Sequence, residues 1–527
     1  MGNIVYYHNK KNGVTYAYES IPYWDKEKKQ GRSKRKCIGH VDPMTGEIVP
    51  NQKRSRNSAP DNNQEEIPKR LFYGAAYLFE QIGNKFGIIS DLKVCFPDQY
   101  RQILSVAYYL IIEDRNPLMR FPKWSQTHCH PYGAAISSQR SSELFASISE
   151  EQRLHFFRLQ EKRHAEKECY AYDTSSISSY SECLNQVRYG HNKDHDPLPQ
   201  INLALLFGEQ SGLPFYYRQL PGNIPDSKTV KRLLEDIRYL GFKKVHMVMD
   251  RGFYSNKNID GLYKEHIKFL IGTRISCKYV KEKLDKHRTD VRAWENYCEC
   301  HDTFGMRYSM EWDYRMERPY KKDIVNGKRR AYLFLYYNGQ KAADDEKAFS
   351  KKLIQLRQEL EAGKRKPSNE KLYEKYFEVH QTLVRGVKVT PKQKAIDEAT
   401  KDYGYFVLLG NEPLSAEEAL SIYRNKDEVE KAFYDIKDRL DCRRTNVSSE
   451  LSLNGKIFVE FIALIIISYI KKMMKEKMLY QKYTFMELID KLDVIECYQR
   501  PGHRIHISEM TEEQKDLYTM LGFDPPS

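Results

Sequence analysis

The sequence predicts an α/β protein whose mixed sheet, flanked by helices, is interrupted by an inserted domain. Between about residues 169 and 274, three strand-like segments are followed by a helix, a strand, a helix and a strand. A further strand of similar character, residues 404–411, lies beyond a long and more polar segment. Strands that alternate with helices after an initial antiparallel set favour a mixed sheet, and the polar segment between its two parts predicts the insertion.

The composition predicts a multidomain globular protein with a polyanionic partner. A chain of 527 residues is too long for one core, which predicts roughly three or four domains. Lysine and arginine number 86 against 72 aspartate and glutamate, and the resulting net charge of +14 favours nucleic acid as a partner. The 39 tyrosines fit contacts with nucleic-acid backbones and bases, although tyrosine is also common in cores and interfaces.

The cysteine pattern and the apolar segments argue against a structural zinc site and a membrane span. The ten cysteines are scattered, and the clusters "HCH" (128–130) and "CECH" (298–301) lack the two paired spacings of a zinc site. The opening "MGNIVYYHNKK" lacks the apolar region of a signal peptide, so the scattered thiols predict a cytoplasmic location. The most apolar segment, residues 456–472, is interrupted by Glu460 and is too short to span a membrane, which predicts a buried helix.

The first third of the chain divides into three parts. Residues 1–50 are predicted to form a basic β-rich module, because "GVTYAYESIPYW" has strand character and the cationic segment "KEKKQGRSKRK" (26–36) follows it. The cationic segment either contacts phosphates or is a solvated loop. Residues 51–66 are polar and rich in Asn, which predicts a linker. Residues 67–165 carry apolar residues at helical spacing and are expected to serve DNA binding or dimerisation.

The rest of the chain divides around the predicted insertion. The catalytic domain is expected to have a first part, 166–274, and a second part, 401–480, with the inserted domain at 275–400 and a C-terminal helical region at 481–527. In the first part, a helix that begins near residue 226 is predicted to have Asp226 or Ser227 as its N-cap.

Two aspartates in the first part are candidate metal ligands. Asp173 lies near the middle of a predicted strand among small polar residues, where a buried acid must be paired, protonated or bound to metal. If Asp173 instead lay in an edge strand or a turn, its carboxylate would not need to be paired, protonated or bound to metal. Asp250 ends the strand "VHMVMD", where ligand sites of open α/β sheets are found, although Asp is also an ordinary turn or cap residue. If the two strands are neighbours, both carboxylates can approach one ion.

A third acid lies on the predicted helix "SAEEALSIYRNKDEVEKAFYDIKDRLD". Tyr423, Glu430 and Lys437 follow one another at intervals of seven, and Lys426 precedes Glu430 by four, so the four side chains share one face. The other side offers apolar residues for packing, namely Val429, Ala432, Ile436 and Leu440. By itself this pattern is also typical of an exposed helix with ordinary charge pairs.

Taken together, the three acids predict a site for divalent metal and DNA. Three carboxylates among cations fit two hard divalent ions and a phosphodiester. Lys426 and Lys437 are then candidates to hold the DNA backbone, and Tyr423 is a candidate to contact a phosphate or to stack.

Three blocks, "YAYDTSSISSYS", "VMDRGFYS" and "YRNKDEVEKAFYDIK", resemble those of the DDE transposases of bacterial insertion sequences. The resemblance is to the insertion-sequence-four superfamily and, within it, is closest to the subgroup numbered 1634. The superfamily signature Y-x2-R-x3-E-x6-K is matched by Tyr423, Glu430 and Lys437. Lys426 stands where the signature has arginine, and a lysine keeps the charge but loses the bidentate fork.

The resemblance implies a ribonuclease-H-like catalytic domain in which Asp173, Asp250 and Glu430 are catalytic and hold two Mg²⁺ or Mn²⁺ ions. It implies cleavage of double-stranded DNA at the terminal inverted repeats of an element and strand transfer into target DNA. A homodimeric synapse and a location at the nucleoid are also implied. Arg251 either faces DNA or caps the turn after Asp250.

In relatives that make DNA hairpins, an aromatic residue of the insert stacks on a flipped base. Trp294 and Trp312 lie in the corresponding region, and either could equally be a core residue. Two other functions fit the same sequence: a domesticated protein that binds DNA without transposing, and a ribonuclease-H-like DNA nuclease that cuts without strand transfer.

Overall fold

The computed structural model describes residues 3–9, 14–25, 30–42, 46–50, 69–163, 168–242, 245–317, 324–382, 386–499 and 505–527. The chain forms two compact units, Met1–Ile67 and Pro68–Ser527. The predicted linker, residues 51–66, and residues 26–29 of the cationic segment lie outside the described residues.

The first unit contains an antiparallel sheet in the order β1-β2-β3-β4. Its strands are β1 (Asn3–Asn9), β2 (Val14–Asp25), β3 (Gln30–Val41) and β4 (Ile48–Pro50). β2 is rich in tyrosine and β-branched residues, which fit the pleated surface of a strand. The β-rich character predicted for this segment is confirmed.

The second unit combines helices with a large sheet. Its helices are α1 (Gly74–Lys85), α2 (Ile88–Cys95), α3 (Tyr100–Ile112), α4 (Phe121–Trp124), α5 (Ser138–Ser147), α6 (Glu150–Arg163), α7 (Asp226–Leu240), α8 (Asn256–Lys264), α9 (Lys278–Val291), α10 (Gly339–Glu361), α11 (Glu370–Tyr376), α12 (Gln393–Thr400), α13 (Ala416–Asn425), α14 (Asp427–Tyr434), α15 (Glu450–Glu476), α16 (Phe485–Asp493) and α17 (Glu512–Met520). Its strands are β5 (Lys69–Phe72), β6 (Cys169–Ser178), β7 (Gln200–Gly208), β8 (Pro214–Pro221), β9 (His246–Met249), β10 (Lys268–Thr273), β11 (Tyr297–Cys298), β12 (Thr303–Glu317), β13 (Ile324–Tyr337), β14 (Phe377–Thr382), β15 (Gly386–Pro391), β16 (Tyr405–Gly410), β17 (Glu496–Gln499) and β18 (His506–Ile507).

Nine of these strands form one mixed sheet in the order β11-β12-β13-β16-β10-β9-β6-β7-β8. β6 and β10 run parallel to β9, and the other neighbouring strands are antiparallel. β7 is buried at every residue, as a continuous apolar run predicts for a strand that is covered on both faces. The predicted mixed sheet and the predicted order of elements between residues 169 and 274 are confirmed.

The sheet continues into the segment that the sequence predicts as an insertion. β11, β12 and β13 extend the sheet beyond β16, with residues 332–337 paired to residues 405–410. The helices α10 and α11 and the hairpin β14–β15 instead share a small core of their own, which contains Leu356, Leu360, Tyr373, Tyr376 and Phe377. Residues 275–400 therefore contribute one part that shares the large sheet and one part that packs around a separate core.

Helix α15 lies in the core of the second unit. Among the described residues it is the one helix long and apolar enough to cross a membrane, and 94% of its apolar window is buried inside the protein. It packs against α3, α5 and β8. The buried helix predicted over residues 456–472 is confirmed. Glu460, in its middle, pairs with Lys456 at 3.7 Å, and burial raises the pKa of Glu460 to about 7.

The helix predicted over residues 415–441 is built from three consecutive segments. α13 begins after the N-cap Ser415, and α14 follows at Lys426, whose backbone keeps right-handed helical angles. A π-helical turn, Asp435–Arg439, comes next. The N–H of Leu440, the residue after this turn, donates to the Asp435 carbonyl at 3.0 Å. This turn is wider than a turn of α-helix. The expectation that residues seven apart share one helix face therefore holds for Tyr423 and Glu430, but the position of Lys437 on that face is shifted.

The close packing of α15 on α5 predicts that Gly455 cannot be replaced without cost. A Cβ atom at Gly455 would lie 2.0 Å from the carbonyl oxygen of Phe145, so the two helices would have to separate. We expect Gly455→Ala to lower the free energy of unfolding by about 1–3 kcal/mol, the usual cost of overpacking. The measurement is the urea or thermal unfolding midpoint of the purified chain.

Gly339→Ala is the matched control, because a Cβ atom at Gly339 of α10 would have no neighbour within 4 Å. Alanine there should leave the midpoint unchanged or raise it slightly. Equal midpoints for Gly455→Ala and the unmodified chain would contradict the close approach of the two helices.

Candidate active site

Asp173 and Asp250 lie on neighbouring strands at the same level. β6 and β9 are parallel, and their last register pair places Tyr172 opposite Met249. The next residue of each segment is an aspartate, since Asp173 continues β6 and Asp250 follows β9. Paired positions of neighbouring strands face the same side of a sheet. The two strands are therefore neighbours, which is the condition for both carboxylates to approach one ion, and a short 3₁₀ turn, Arg251–Phe253, follows Asp250.

Glu430, on α14, lines the same cleft as the two aspartates. The cleft has a volume of about 600 Å³, and we call it the acid cleft. Helix α14 packs against β6 and β7, which brings its acid to the edge of the strands. The side chains lining the cleft are those of Asp173, Thr174, Ser175, His191, Lys193, Asp194, Asp226, Asp250, Glu430, Phe433, Tyr434, Lys437, Asp438 and Arg443, together with Gly252.

Two residues of the α13–α14 segment hold the acids. The Tyr423 hydroxyl donates to Asp250 Oδ1 at 2.8 Å. Lys426 Nζ donates to Glu430 Oε1 at 2.8 Å and lies 3.5 Å from Asp250 Oδ1. Lys426 is only 4% exposed, so its ammonium group serves as an internal counter-charge. Its predicted contact with the DNA backbone stays a prediction.

Lys193 and Asp226 also line the cleft, and the sequence did not single them out for it. Lys193 Nζ lies 3.2 Å from Asp173 Oδ1 and 3.7 Å from Asp226 Oδ2. The prediction that Asp226 or Ser227 is the N-cap of α7 is wrong, because Pro225 occupies that position. The Thr174 hydroxyl instead donates to Asp226 Oδ1 at 2.6 Å. For Lys193, the signal in the sequence was the density of His, Asp and Lys in "GHNKDHD", residues 190–196.

Lys437 and Arg251 differ in exposure. Lys437 lies in the π-helical turn and is buried, and its Nζ donates to Asp194 Oδ2 at 2.6 Å. Arg251 is exposed in the 3₁₀ turn beside Asp250. The predicted DNA contacts of Tyr423, Lys437 and Arg251 stay predictions.

The electrostatics of Asp173 are set by burial. Asp173 is 7% exposed, and burial raises its pKa above the ordinary value of an aspartate. The charge of Lys193 and the hydrogen bond from the Thr174 N–H oppose this shift without cancelling it. The negative charge of a buried, partly compensated carboxylate of this kind is stabilised when a cation binds beside it.

The electrostatics of Tyr423 and Lys426 keep both residues protonated. Burial lowers the pKa of Lys426, but the hydrogen bond to Glu430 and the charge of Asp250 outweigh burial, so the pKa is raised overall. Burial and the charge of Asp250 raise the pKa of Tyr423. Tyr423 is therefore a neutral donor and Lys426 a cation at physiological pH.

The acid cleft has the donor chemistry of a site for hard cations. Carboxylate oxygens are the ligands that Mg²⁺ prefers in proteins. In the part of the chain that the structure describes, no three His, Cys, Asp or Glu side chains form a ready-made metal site. Lysine ammonium groups instead contact the carboxylates, Lys426 with Asp250 and Glu430, and Lys193 with Asp173 and Asp226.

The structure separates the two tryptophans that the sequence left equivalent. Trp312 is 7% exposed, and its indole N–H donates to Asp260 Oδ1 at 2.9 Å, so it is a core residue. Trp294 is 80% exposed, in a short 3₁₀ turn after α9. Of the two, only Trp294 is accessible to a base.

Comparison with known proteins identifies the family. A family model described as a transposase DDE domain matches residues 164–466, which is more than half of the chain and includes Asp173, Asp250 and Glu430. No curated protein matches the sequence. Among solved structures the chain is similar to the piggyBac transposase in a cryo-EM structure of its synaptic complex with hairpin DNA, with 12% identity over 81% of this chain and 82% of that chain and a TM-score of 0.37. The match to this family model shows that the chain belongs to the DDE transposase family and is a transposase enzyme.

Proposed function

We propose that this transposase belongs to a bacterial insertion sequence of the insertion-sequence-four superfamily, near the subgroup numbered 1634. In this proposal it cleaves DNA at the terminal inverted repeats of its element and transfers the strands to target DNA. The observation that carries the proposal is the convergence of Asp173, Asp250 and Glu430 on one acid cleft from three distant parts of the chain. The match of Tyr423, Glu430 and Lys437 to the superfamily signature supports the assignment.

The three acids are proposed as the catalytic residues and as ligands of two divalent ions, Mg²⁺ or Mn²⁺. When bound, such ions activate a water molecule or a 3′-hydroxyl group and stabilise the leaving oxygen. The residues of the chain supply the positioning. β6 and β9 hold the two aspartates on a rigid sheet, and the Tyr423 hydroxyl orients the Asp250 carboxylate by its hydrogen bond.

Lys426 and Lys193 are proposed to change partners when substrate binds. Each ammonium group now neutralises two carboxylates. With these carboxylates neutralised by bound cations, the two ammonium groups would be free to contact phosphate oxygens of DNA. A lysine suits this exchange because it is a compact charge on a flexible stem, whereas the planar fork of arginine favours one fixed pairing. Lys437 and Arg251 are proposed as further contacts to the DNA backbone.

The strand arrangement supports a ribonuclease-H-like catalytic domain. Its core would be the run β8-β7-β6-β9-β10, three antiparallel strands followed by two that are parallel to the first. We propose that residues 275–400 are the insertion into this domain, that residues 67–165 bind DNA or dimerise, and that the synaptic complex is a homodimer. The expected site of action is the nucleoid in the cytoplasm.

Substitution of the three acids tests the site assignment. We expect Asp173→Asn, Asp250→Asn and Glu430→Gln each to lower cleavage about a thousandfold, because metal stabilisation of the transition state amounts to several kcal/mol. DNA binding should persist. The assay incubates the purified protein and Mg²⁺ or Mn²⁺ with duplex DNA that carries the inverted repeats flanking its gene, and measures both nicking and joining.

Glu428→Gln is the matched control for this series. Glu428 lies on the same helix as Glu430 but pairs with Lys431 and Lys475 and lines a different cavity. The Glu428→Gln variant should cleave the DNA as fast as the unmodified chain. Cleavage that persists in Asp250→Asn would contradict the assignment. Cutting without joining would favour the nuclease function, and binding without cutting would favour a domesticated DNA-binding protein.

The raised pKa of Asp173 predicts that its ionised carboxylate lowers the free energy of unfolding at neutral pH. A carboxyl whose pKa is raised by folding destabilises the folded state as pH rises through that pKa. Without divalent ions, Asp173→Asn should therefore unfold at a higher temperature than the unmodified chain at about pH 7.5, and the difference should shrink towards about pH 4. A lower midpoint for Asp173→Asn across this range would show that the pair with Lys193 outweighs burial.

The exposure of Trp294 predicts its part in DNA processing. Trp294→Ala should reduce hairpin formation or end cleavage by about 5- to 150-fold, the range of base–aromatic stacking. Its unfolding midpoint should not change. Trp312→Ala is the comparison variant, since loss of a buried tryptophan should lower the unfolding midpoint. Full activity of Trp294→Ala would exclude this residue as the stacking platform.

A further inference from the structure

The hairpin of β2 and β3 extends beyond the rest of the N-terminal sheet. β1 pairs with β2 only up to Ser20, and β4 pairs with β3 only at Gly39, His40 and Val41. From Ile21↔Lys34 to Asp25↔Gln30, the two strands continue as a ladder of their own. Among the described residues, no third strand pairs with this part. We call residues 21–25 and 30–34 the β2–β3 arm.

The arm is exposed on both of its faces. Ile21 is 52% exposed, Tyr23 48% and Trp24 65%, and each described side chain of the arm is exposed. Successive residues of a strand point to opposite faces, so Tyr23 and Trp24 are on different sides of the ribbon. A two-stranded ribbon is at best marginally stable in water. Large apolar side chains on such a ribbon indicate a surface that is covered by a partner.

The charge of the arm and its base specifies the kind of partner. Residues 21–36 contain seven lysines and arginines against Asp25 and Glu27, a net charge of +5 out of the +14 of the whole chain. At the base of the arm, Lys34, Arg35 and Lys36 follow one another and are all exposed. Side chains of both faces are thus cationic. A ribbon with cations on both faces and aromatic rings between them fits a partner that surrounds it with negative charge.

The dimensions of the arm fit a groove of duplex DNA. Two strands about 4.8 Å apart, with side chains on either side, match a major groove about 12 Å wide, which admits a two-stranded β-ribbon. The five pairs of the arm extend for about 17 Å at 3.3 Å per residue. This length is about half a turn of the DNA helix, so the cations at the base would reach the phosphates that flank the groove.

We propose that the β2–β3 arm inserts into a groove of duplex DNA, with Lys34, Arg35 and Lys36 on phosphates and with Tyr23 and Trp24 against sugars or base edges. The inference takes duplex DNA as the substrate from the proposed function. It assigns DNA recognition to an element of the N-terminal unit rather than to the residues of the acid cleft.

The test measures binding by the full-length chain in the absence of divalent ions. The probes are two 30-bp duplexes taken from the ends that flank the gene, and a scrambled 30-bp duplex. Binding to each probe is measured by fluorescence anisotropy between about 50 and 200 mM salt. The variant combines Lys34→Ala, Arg35→Ala and Lys36→Ala. Three lost phosphate contacts should reduce the slope of log K against log salt by about 2.7 and weaken binding about tenfold or more. Trp24→Ala should weaken binding to the end duplexes with an unchanged salt slope.

The matched control removes equal charge from C-terminal lysines, of which Lys482 is exposed and Lys491 and Lys515 are half-buried. It combines Lys482→Ala, Lys491→Ala and Lys515→Ala, whose side chains pair with Glu512 and Glu513. This variant should keep the slope of the unmodified chain. An equal loss in both triple variants, or an unchanged slope in the arm variant, would overturn the proposal. A change of oligomeric state with unchanged DNA affinity would also overturn it, in favour of a protein interface.

Binding by the unmodified chain separates this inference from the proposed function. If the unmodified chain bound none of the duplexes, the proposed function itself would fail. If it bound them and only the role of the arm were wrong, the proposed function would stand. Equal unfolding midpoints confirm that the exposed substitutions leave the fold intact.

Discussion

The balance between clustered carboxylates and buried ammonium groups is the constraint on which the site depends. Two like charges 4 Å apart repel each other by roughly 4 kcal/mol at the effective dielectric constant near a protein surface. Asp173, Asp226, Asp250 and Glu430 line one cleft, and their repulsion would open it without nearby cations. Lys193 and Lys426 supply those cations. In the proposed function, these ammonium groups balance the carboxylates in the absence of metal, and divalent ions would take over that role when they bind.

The mixed sheet converts distant sequence positions into this arrangement. β9 lies between β6 and β10 and is parallel to both, so that the acid at the end of β9 comes to lie beside the acid within β6. The apolar side of α14, with Val429, Ala432 and Phe433, is buried, and its acid is carried to the cleft. The rigid sheet and the packed helix hold the three side chains before any substrate arrives, as their proposed catalytic role requires.

Charge is distributed unevenly between the two units of the chain. The acid cleft of the second unit collects carboxylates, whereas the first unit holds the most cationic segment of the sequence, with +6 in residues 26–36. A polyanion is attracted by the cationic segment and repelled by the cleft until cations neutralise the acids. If the proposed roles of the acid cleft and the β2–β3 arm hold, binding and chemistry depend on different parts of the protein, with binding more sensitive to salt and chemistry more sensitive to divalent metal.

The sequence by itself determined the order of strands and helices between about residues 169 and 274, the candidate acids and the signature around Glu430, because periodicity and short motifs are local properties of the chain. It could not determine the roles of Lys193 and Asp226, since their pairing joins loops and helix starts far apart in sequence. It also left open which of Trp294 and Trp312 is exposed, and it did not reveal that β12 and β13 extend the sheet or that a π-helical turn displaces Lys437. Lys426 is the clearest case: its position in the signature was visible, but only tertiary packing decided that its charge is buried among the acids. Burial and pairing are properties of the contacts between segments, and these contacts exist only in the folded chain.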